Sequence, residues 1–478
     1  LAEHWDVVVV GAGSGGGVAA ARIVERLGCT VLLLEAGADF PGEERDPPAF
    51  FTGGGVIGGG AGVGAPVPSL DWGYSSEPLE NGRRVRLARG KLVGGSSMIN
   101  GCVAVRGAPE DFKRWSDAGA AGWAWEDVLP HFEAVEARVP IKTYARERWQ
   151  PIQEAYLAAL LELGFREVED INAPDSWGRV CGPWPVNRRN EVRQGTLVTY
   201  IRDARGLDGF EVRGGALVDR LLLERNRAVG VRYVDTAGRP RDVHADLVVL
   251  AAGSYGTPPI LLRSGVGPAA ELAALGIKPI ADLPVGENLR DHPGCRFTIR
   301  TAPDMVELTG SPFSVIGRGD GLYCFAFGLD EHEGICALPV TVTTDRMRGT
   351  VRLSSPDDPA AAPIINHGFQ DCIDGGAFDH VERFLDELLA SATMRRHRVQ
   401  LDQPQLTMQE RLLAGIGTSQ HPVGTCAIGS VVDPTLAVIG IDGLRIADAS
   451  VFPSHVSNNP NLTCYMVGER AAAFVAQG

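Results

Sequence analysis

The sequence predicts an α/β protein, α+β when taken whole. A Rossmann-type dinucleotide-binding domain would be interrupted by a second domain built on an antiparallel or mixed sheet plus helices. Three observations carry this. A β-branched run at residues 5–10 leads through a glycine-rich turn into a helical stretch and a second apolar run. A strand, glycine turn and helix recur from residue 245. From about 295 to 370, short alternating runs are broken by Pro and Asp, the pattern of an antiparallel sheet.

The elements follow in order. Residues 5–10 suit a strand buried on both faces. Residues 18–27 read as a helix, with Gly28 at its C-terminal stop, and 30–34 as the second buried strand, ending at Glu35. The glycine-rich, nearly uncharged stretch 51–66 reads as loop. Helix is expected over 110–136, which holds Trp115, Trp123 and Trp125 as core aromatics, and over 150–163, which is amphipathic. Strands are expected at 217–224, 228–234 and 245–250, then a glycine turn and helix over 251–263. Helix returns at 375–398, 406–415 and 462–476. The nucleotide-binding domain is therefore expected to be discontinuous, comprising 1–138, 190–294 and 416–478. The substrate-binding domain would comprise 139–189 and 295–415.

A chain of 478 residues allows two or three domains and a cleft between them. With 44% hydrophobic and 22% charged residues, the profile is that of a globular protein. The net charge of −14 and the lack of a basic run argue against a nucleic-acid partner. No apolar run reaches the roughly 18 residues of a membrane span. The polar opening runs straight into a strand, so no leader peptide is expected. Nine scattered cysteines without zinc-type spacing fit a reduced, cytoplasmic chain, and no metal site is expected. Cys426 and Cys464 are expected to pack.

Gly11-Ala12-Gly13-Ser14-Gly15-Gly16 has the G-x-G-x-x-G spacing between a strand and a helix. Gly11 permits the tight turn, Gly13 lets a pyrophosphate approach the backbone, and Gly16 lets helix and strand pack closely. The helix start then offers N–H donors to phosphate. Glu35, at the end of the second strand, can accept from ribose hydroxyls and argues against a 2′-phosphate. On these residues alone the dinucleotide is NAD or FAD. No G-x-S-x-G, H-E-x-x-H or P-loop supports a hydrolase or metalloprotease.

Further blocks carry a resemblance. Arg89-Gly90-Lys91-Leu92-Val93-Gly94-Gly95-Ser96-Ser97-Met98-Ile99-Asn100-Gly101 resembles the first signature of the glucose–methanol–choline (GMC) oxidoreductases. Gly253-Ser254-Tyr255-Gly256-Thr257-Pro258, continuing to Gly267, resembles the second. Val285 to His292, His421 to Thr425, Gly443 to Ser450 and Asn459-Pro460-Asn461 are similar to later family blocks, in family order and across nearly the whole chain. The resemblance implies FAD as cofactor, with Gly11, Gly13, Ser14, Gly16, Glu35 and Ala36 in the nucleotide groove. It implies Arg89, Gly94, Gly95, Ser96, Asn100 and Gly101 along the pyrophosphate and flavin, and Val218 and Ala252 toward the adenine and the second glycine turn. Asp448 and Ala449 would lie near the ribityl-phosphate chain, and Asn459, Pro460 and Asn461 at the pyrimidine end of the flavin. Some relatives tether FAD through a His in the first signature. Ile99 stands at that position, which implies non-covalent FAD.

Alcohol oxidation removes a hydroxyl proton and a hydride. A base titrating near neutrality suits the first task, and hydrogen-bond donors steady the developing alkoxide. His421 matches the family's catalytic His, and Asn459 matches its His-or-Asn partner. The expected substrate is a primary or secondary alcohol, with oxygen or another electron acceptor reoxidising the flavin. The same scaffold also carries hydroxynitrile lyases and a light-driven decarboxylase. Among the other histidines, His455 is a candidate for the pocket wall, and His292 is expected to serve a local turn. His4 is expected to be exposed, and His131, His244, His332, His367, His380 and His397 to be surface or structural. The 51–66 stretch lies where relatives carry loops over the active site, and is expected to act as a small lid.

Overall fold

The computed structural model describes residues 3–42, 68–308, 311–343 and 347–477. The loop expected at 51–66, and its lid role, lie outside the described residues. β1 (His4–Val10) pairs in parallel with β2 (Val31–Leu34), Val7 opposite Val31 through Val10 opposite Leu34. All four residues of β2 and the last four of β1 are buried. Both strands are covered on two faces, so neither has room for an alternating polar face. α1 (Gly16–Leu27) links them and ends at Gly28, whose φ of 60° returns its N–H to the Val24 carbonyl. A Cβ there would cost energy, so glycine is the residue that closes this helix.

The first sheet has seven strands. Its main path runs Leu217–Glu224, Arg227–Val234, Pro240–Leu250, β1, β2, Phe210–Arg213. Leu444–Ile446 pairs in parallel with the end of Pro240–Leu250. Five parallel segments thus come from four distant parts of the chain. Their ends are in register: Val10 lies opposite Leu250, and Leu250 opposite Ile446. Gly11, Ala251 and Ala447 therefore leave the sheet side by side. In open α/β sheets this carboxyl edge is where ligands bind.

The second sheet has nine strands and is almost entirely antiparallel. Pro293–Arg300 and Ile335–Val342 form its longest ladder, Gly294 opposite Thr341 through Arg300 opposite Ile335. Val315–Gly319 pairs with Val180–Pro183, so residues before the first domain's return also enter this sheet. One apolar core surrounds the first sheet and another the second. Tyr74, Leu87, Cys102 and Val105, assigned to the first domain from sequence, place their side chains in the second core.

Three helix expectations need correction. Residues 110–136 form two helices, Pro109–Asp117 and Trp125–Arg138. Gly119 (φ 97°) and Gly122 (φ 75°) break the stretch, and Asp127 caps the restart by accepting from Ala124 N–H. Residues 375–398 form Asp379–Ala390 and Ala392–Arg396, preceded by the separate helix Phe369–Asp374. Gly376 at φ 66° makes the first break, and the Ser391 side chain, accepting from Met394 N–H, opens the last piece. The 406–415 helix starts at Met408, where Thr407 and Glu410 form a reciprocal cap. The remaining expected helices stand: Pro151–Glu162, Gly253–Arg263 and Asn461–Ala476.

Candidate active site

A cleft with about 2060 Å³ of atom-free space, its open mouth included, runs along the carboxyl edge of the first sheet to the face of the second. Its lining extends from the Gly11–Gly15 turn and Glu35 to His421, Tyr323 and Thr341, a course that suits an extended dinucleotide with a substrate beside it.

At the nucleotide end each glycine answers a separate demand. Gly11 has φ 98°, and a Cβ on it would lie 2.4 Å from the Ala251 carbonyl oxygen. A Cβ on Gly15 would lie 2.0 Å from the Ala447 oxygen, and one on Gly16 2.0 Å from the Gly11 oxygen. Those glycines let α1 press onto the strand ends. Gly13 differs, because a Cβ on it would meet nothing within 4 Å. The chain leaves open space where a pyrophosphate must approach. Glu35 is buried and accepts from Ala12 N–H (3.0 Å) through one carboxylate oxygen and from Gly37 N–H (2.9 Å) through the other. Burial pushes its carboxyl up to about 7, against those bonds and the charge of Lys91. It reaches the cleft, where each oxygen retains a lone pair for a ribose hydroxyl. Ser14 donates to the Asn461 side chain at 2.8 Å, joining the glycine loop to the start of the last helix. Open space at Gly13 together with a buried carboxylate at the second strand's end fits FAD's ADP half.

Of the residues expected to hold the cofactor, Gly11, Gly13, Ser14, Glu35, Ala36, Arg89, Gly95, Ser96, Asn100, Gly101, Val218, Ala252, Asp448, Ala449, Asn459, Pro460 and Asn461 all line this cleft. Gly16 and Gly94 stand outside its lining. Gly16 packs on the Gly11 carbonyl, and Gly94 (φ 97°) donates its N–H to the Ala12 oxygen at 3.0 Å. Both shape the groove from behind. Asp448 lines the cleft, but its carboxylate is engaged by Gly253 N–H, the Thr257 hydroxyl and Ser450 N–H. It ties the second glycine turn to the C-terminal block, so its backbone is what it can offer a ligand.

At the other end His421 lines the cleft. The preceding Gln420 sits at φ 66°, its N–H bonded to the Thr418 hydroxyl at 2.7 Å, and it turns the chain so that His421 N–H reaches the Asp291 carboxylate at 3.0 Å. Asp291 also accepts from His292 N–H (2.7 Å) and from the Thr418 hydroxyl. Burial pushes its carboxyl up to about 6 despite these donors. Burial, then His455 and Arg89, hold the His421 imidazole well below its usual range, so it is neutral at pH 7 and free to accept a proton. Asn459 donates to the Val103 carbonyl at 2.9 Å. That bond fixes the amide and leaves its second N–H and its oxygen available to the cleft.

Two histidine expectations change. His292 does not serve a local turn: its Nδ1 lies 3.1 Å from Nδ1 of His421. His455 is 3% exposed and stands one layer behind the wall, its ring stacked on His292 at 3.6 Å between centroids. His367 is structural as expected. It is buried, 2.7 Å from the Tyr255 hydroxyl and stacked on Phe369. Trp115 and Trp123 are core, bonded through their indole N–H groups to the Ser454 and Pro434 carbonyls. Cys426 and Cys464 are buried, and Cys464 also reaches the cleft.

Part of the cleft wall is aromatic and was not foreseen. Trp184 packs edge-on against Phe313 (5.5 Å), Tyr323 (6.0 Å) and Phe325 (4.8 Å). The Thr341 and Ser419 hydroxyls, 2.8 Å apart, add a polar spot. Arg89 also lines the cleft, its guanidinium 5.4 Å from the Tyr255 ring centre and bonded to Gln420 at 3.0 Å. Among the described lining residues the only carboxylates are Glu35, at the nucleotide end, and Asp448, already engaged. Among the described residues no cluster of His, Cys, Asp and Glu could hold a metal, and no helix is long and apolar enough to cross a membrane.

Comparison with known proteins agrees with this geometry. The N-terminal and C-terminal models of the GMC oxidoreductase family match residues 6–294 and 345–468. A GMC-type oxidoreductase of Rhodococcus erythropolis, itself uncharacterized, is 32% identical over 520 residues, covering 99% of both chains. An oxygen-dependent choline dehydrogenase of Rhizobium etli is 31% identical, covering 98% of this chain and 94% of the other. Among solved structures, pyridoxine 4-oxidase from Mesorbium loti superposes with a TM-score of 0.85 at 26% identity, covering 98% of both chains. Formate oxidase from Aspergillus oryzae RIB40 superposes with a TM-score of 0.87 at 23% identity, covering 99% of this chain and 98% of that one, a likeness of fold.

Proposed function

The chain belongs to the GMC oxidoreductase family, an FAD-dependent group acting on CH–OH donors, and from that premise we propose that it oxidises an uncharged primary or secondary alcohol with His421 as base. The observation that carries this is a neutral imidazole in the cleft wall, with the Asn459 amide in the same wall and a dinucleotide groove leading to both. His421 takes the hydroxyl proton. Asn459, held by Val103, offers its second N–H to the substrate oxygen and steadies the charge that develops there. Bound FAD supplies the acceptor for the hydride leaving the carbinol carbon.

The wall supports a flat, uncharged substrate. Trp184, Phe313 and Phe325 give aromatic contact area. A quaternary ammonium alcohol such as choline would find aromatic faces for its cation, but it would also meet the Arg89 charge and, among the described lining residues, no free carboxylate. Ile99, which is buried and lines the cleft, has no nucleophile to bond the flavin, which supports non-covalent FAD. Acid precipitation that leaves the flavin in the pellet would refute that. The two cores support the division into 1–138, 190–294 and 416–478 against 139–189 and 295–415 in the main, with Tyr74, Leu87, Cys102, Val105, Tyr255, Leu289 and Ile416 among the residues crossing to the second core, and Val139 and Leu353 crossing to the first. Nine unpaired cysteines support a reducing compartment, the cytoplasm.

The test is anaerobic reduction of the bound flavin by a panel of alcohols, in the wild type and in His421→Ala. Reduction that needs His421 supports the reading, and equal rates in the two proteins overturn it. Admitting air afterwards distinguishes oxygen from another acceptor.

A further inference from the structure

The base does not stand alone. Three imidazoles from three chain segments meet at the flank of the cleft. The His421 and His292 rings cross edge to face, with centroids 5.4 Å apart and planes at 85°, bringing the two Nδ1 atoms to 3.1 Å. His455 stacks on the face of the His292 ring, its own centroid 6.4 Å from that of His421. Its Nε2 lies 2.7 Å from the His421 carbonyl oxygen and its Nδ1 2.8 Å from that of Val456. The contacts clamp the backbone of His421 and the ring of His292 together.

An Nδ1-to-Nδ1 contact holds one proton, and its owner decides what His421 can do. If His292 donates, His421 accepts at Nδ1 and must carry its own proton on Nε2. The nitrogen left for a substrate is then an N–H and cannot act as base. If His421 donates, its Nε2 is bare. A base at His421 requires the second arrangement. Nε2 of His292 is buried with neither donor nor acceptor beside it among the described residues, so that side of the ring holds neither tautomer. With His421 as donor, Nδ1 of His292 accepts and the His292 proton sits on Nε2. The other groups around this pair are Asp291, which accepts the main-chain N–H of both residues, His455, and the Arg89 guanidinium.

We infer that His292 is a positioning residue for the base: by accepting a hydrogen bond from Nδ1–H of His421, it fixes the tautomer and ring orientation that keep the Nε2 lone pair on the cleft side. The inference rests on His421 being the base. When the substrate O–H bond breaks, its electron pair stays on oxygen and the proton forms the Nε2–H bond. His421 is then a cation, and its Nδ1–H bond to His292 strengthens because the donor is charged. The bond is worth more in the transition state than before it, which is what makes a contact catalytic in effect. The logic is that of a base held by a third group. Here the third group is a neutral imidazole, not a carboxylate.

The test uses the FAD-loaded protein and two substitutions. His292→Leu removes the acceptor. His292→Asn presents an amide oxygen close to where Nδ1 stood. Flavin reduction at saturating alcohol should fall on the order of 10²-fold or more in His292→Leu. It should recover to within about tenfold of wild type in His292→Asn, with KM little changed in either. Recovery by Asn is something a role in packing alone would not produce. The second readout does not involve turnover: nitrogen-15 NMR of histidine-labelled holoenzyme, with the His421 signals assigned by their loss in His421→Ala. Wild type should show His421 protonated at Nδ1 and bare at Nε2. A wild-type spectrum with the proton on Nε2 overturns the inference, even if His292→Leu fails to fold. So does full activity in His292→Leu. If His421→Ala itself reduces flavin normally, the base assignment fails. If that variant is dead while His292→Leu is fully active, only the role of His292 fails.

Discussion

Replacing Gly13 with alanine separates what the glycine loop does for the fold from what it does for a ligand. Gly13 is not in the left-handed region, and a Cβ on it would meet no atom within 4 Å. The flavin-free protein should therefore keep its stability within about 0.5 kcal/mol, or gain up to about 1 kcal/mol from a stiffer unfolded chain. The added methyl stands in the space where a pyrophosphate must approach the backbone. Overpacking of that kind costs roughly 1–3 kcal/mol, which is about 5- to 150-fold in FAD affinity. Gly16→Ala should behave differently, because its Cβ would lie 2.0 Å from the Gly11 oxygen and the protein itself would have to shift. Urea unfolding of the flavin-free forms gives the first quantity, and quenching of FAD fluorescence gives the second. The reasoning fails if Gly13→Ala binds FAD like wild type, or if it destabilises the flavin-free protein as much as Gly16→Ala does.

Three further predictions concern the site and its charges. His421→Ala should retain FAD and slow flavin reduction by roughly 10²–10⁴-fold, read by anaerobic stopped flow. Asn459→Ala should also retain FAD but lose about 2–4 kcal/mol of transition-state stabilisation, seen as a fall in kcat with KM less affected. Asp291 bears on stability against pH. Its folded-state value of about 6 lies above the ordinary 3.8, so the fold favours the protonated acid. The stability this gives is fully present below about pH 4 and is lost as pH rises through 6, a total of about 3 kcal/mol. Asp291→Asn keeps an oxygen for the two main-chain N–H donors and removes the buried charge. Urea midpoints for that variant should move less between pH 4 and 7 than those of wild type. An unchanged pH dependence would contradict the assignment.

Much of this was legible in the sequence because the signals are local. The spacing of Gly11, Gly13 and Gly16 between an apolar strand and an alanine-rich helix, with Glu35 at the next strand end, fixes a dinucleotide groove from about thirty residues. His421 and Asn459 were singled out through short blocks whose order along the chain matches the family, and both line the cleft. What escaped depends on segments meeting in space. No spacing connects residues 292, 421 and 455, so their stacked imidazoles read as three unrelated histidines. Trp184, Tyr323 and Phe325 sit on or beside strands of the second sheet, and only its pairing brings them to one wall. The broken helices are a different kind of miss. Gly119, Gly122 and Gly376 were visible in the sequence, but the apolar periodicity around them outweighed their signal.

On this reading an uncharged alcohol, held between an aromatic wall and a bound flavin, is oxidised with His421 as the base. Anaerobic mixing of the FAD-loaded protein with a flat aromatic primary alcohol, and separately with choline, tests it most directly. The aromatic alcohol should bleach the flavin and choline should not, and His421→Ala should slow the bleaching by roughly 10²–10⁴-fold. Bleaching by choline in preference to the aromatic alcohol would contradict the reading of the wall. Flavin that stays oxidised with every alcohol tried would contradict the account as a whole.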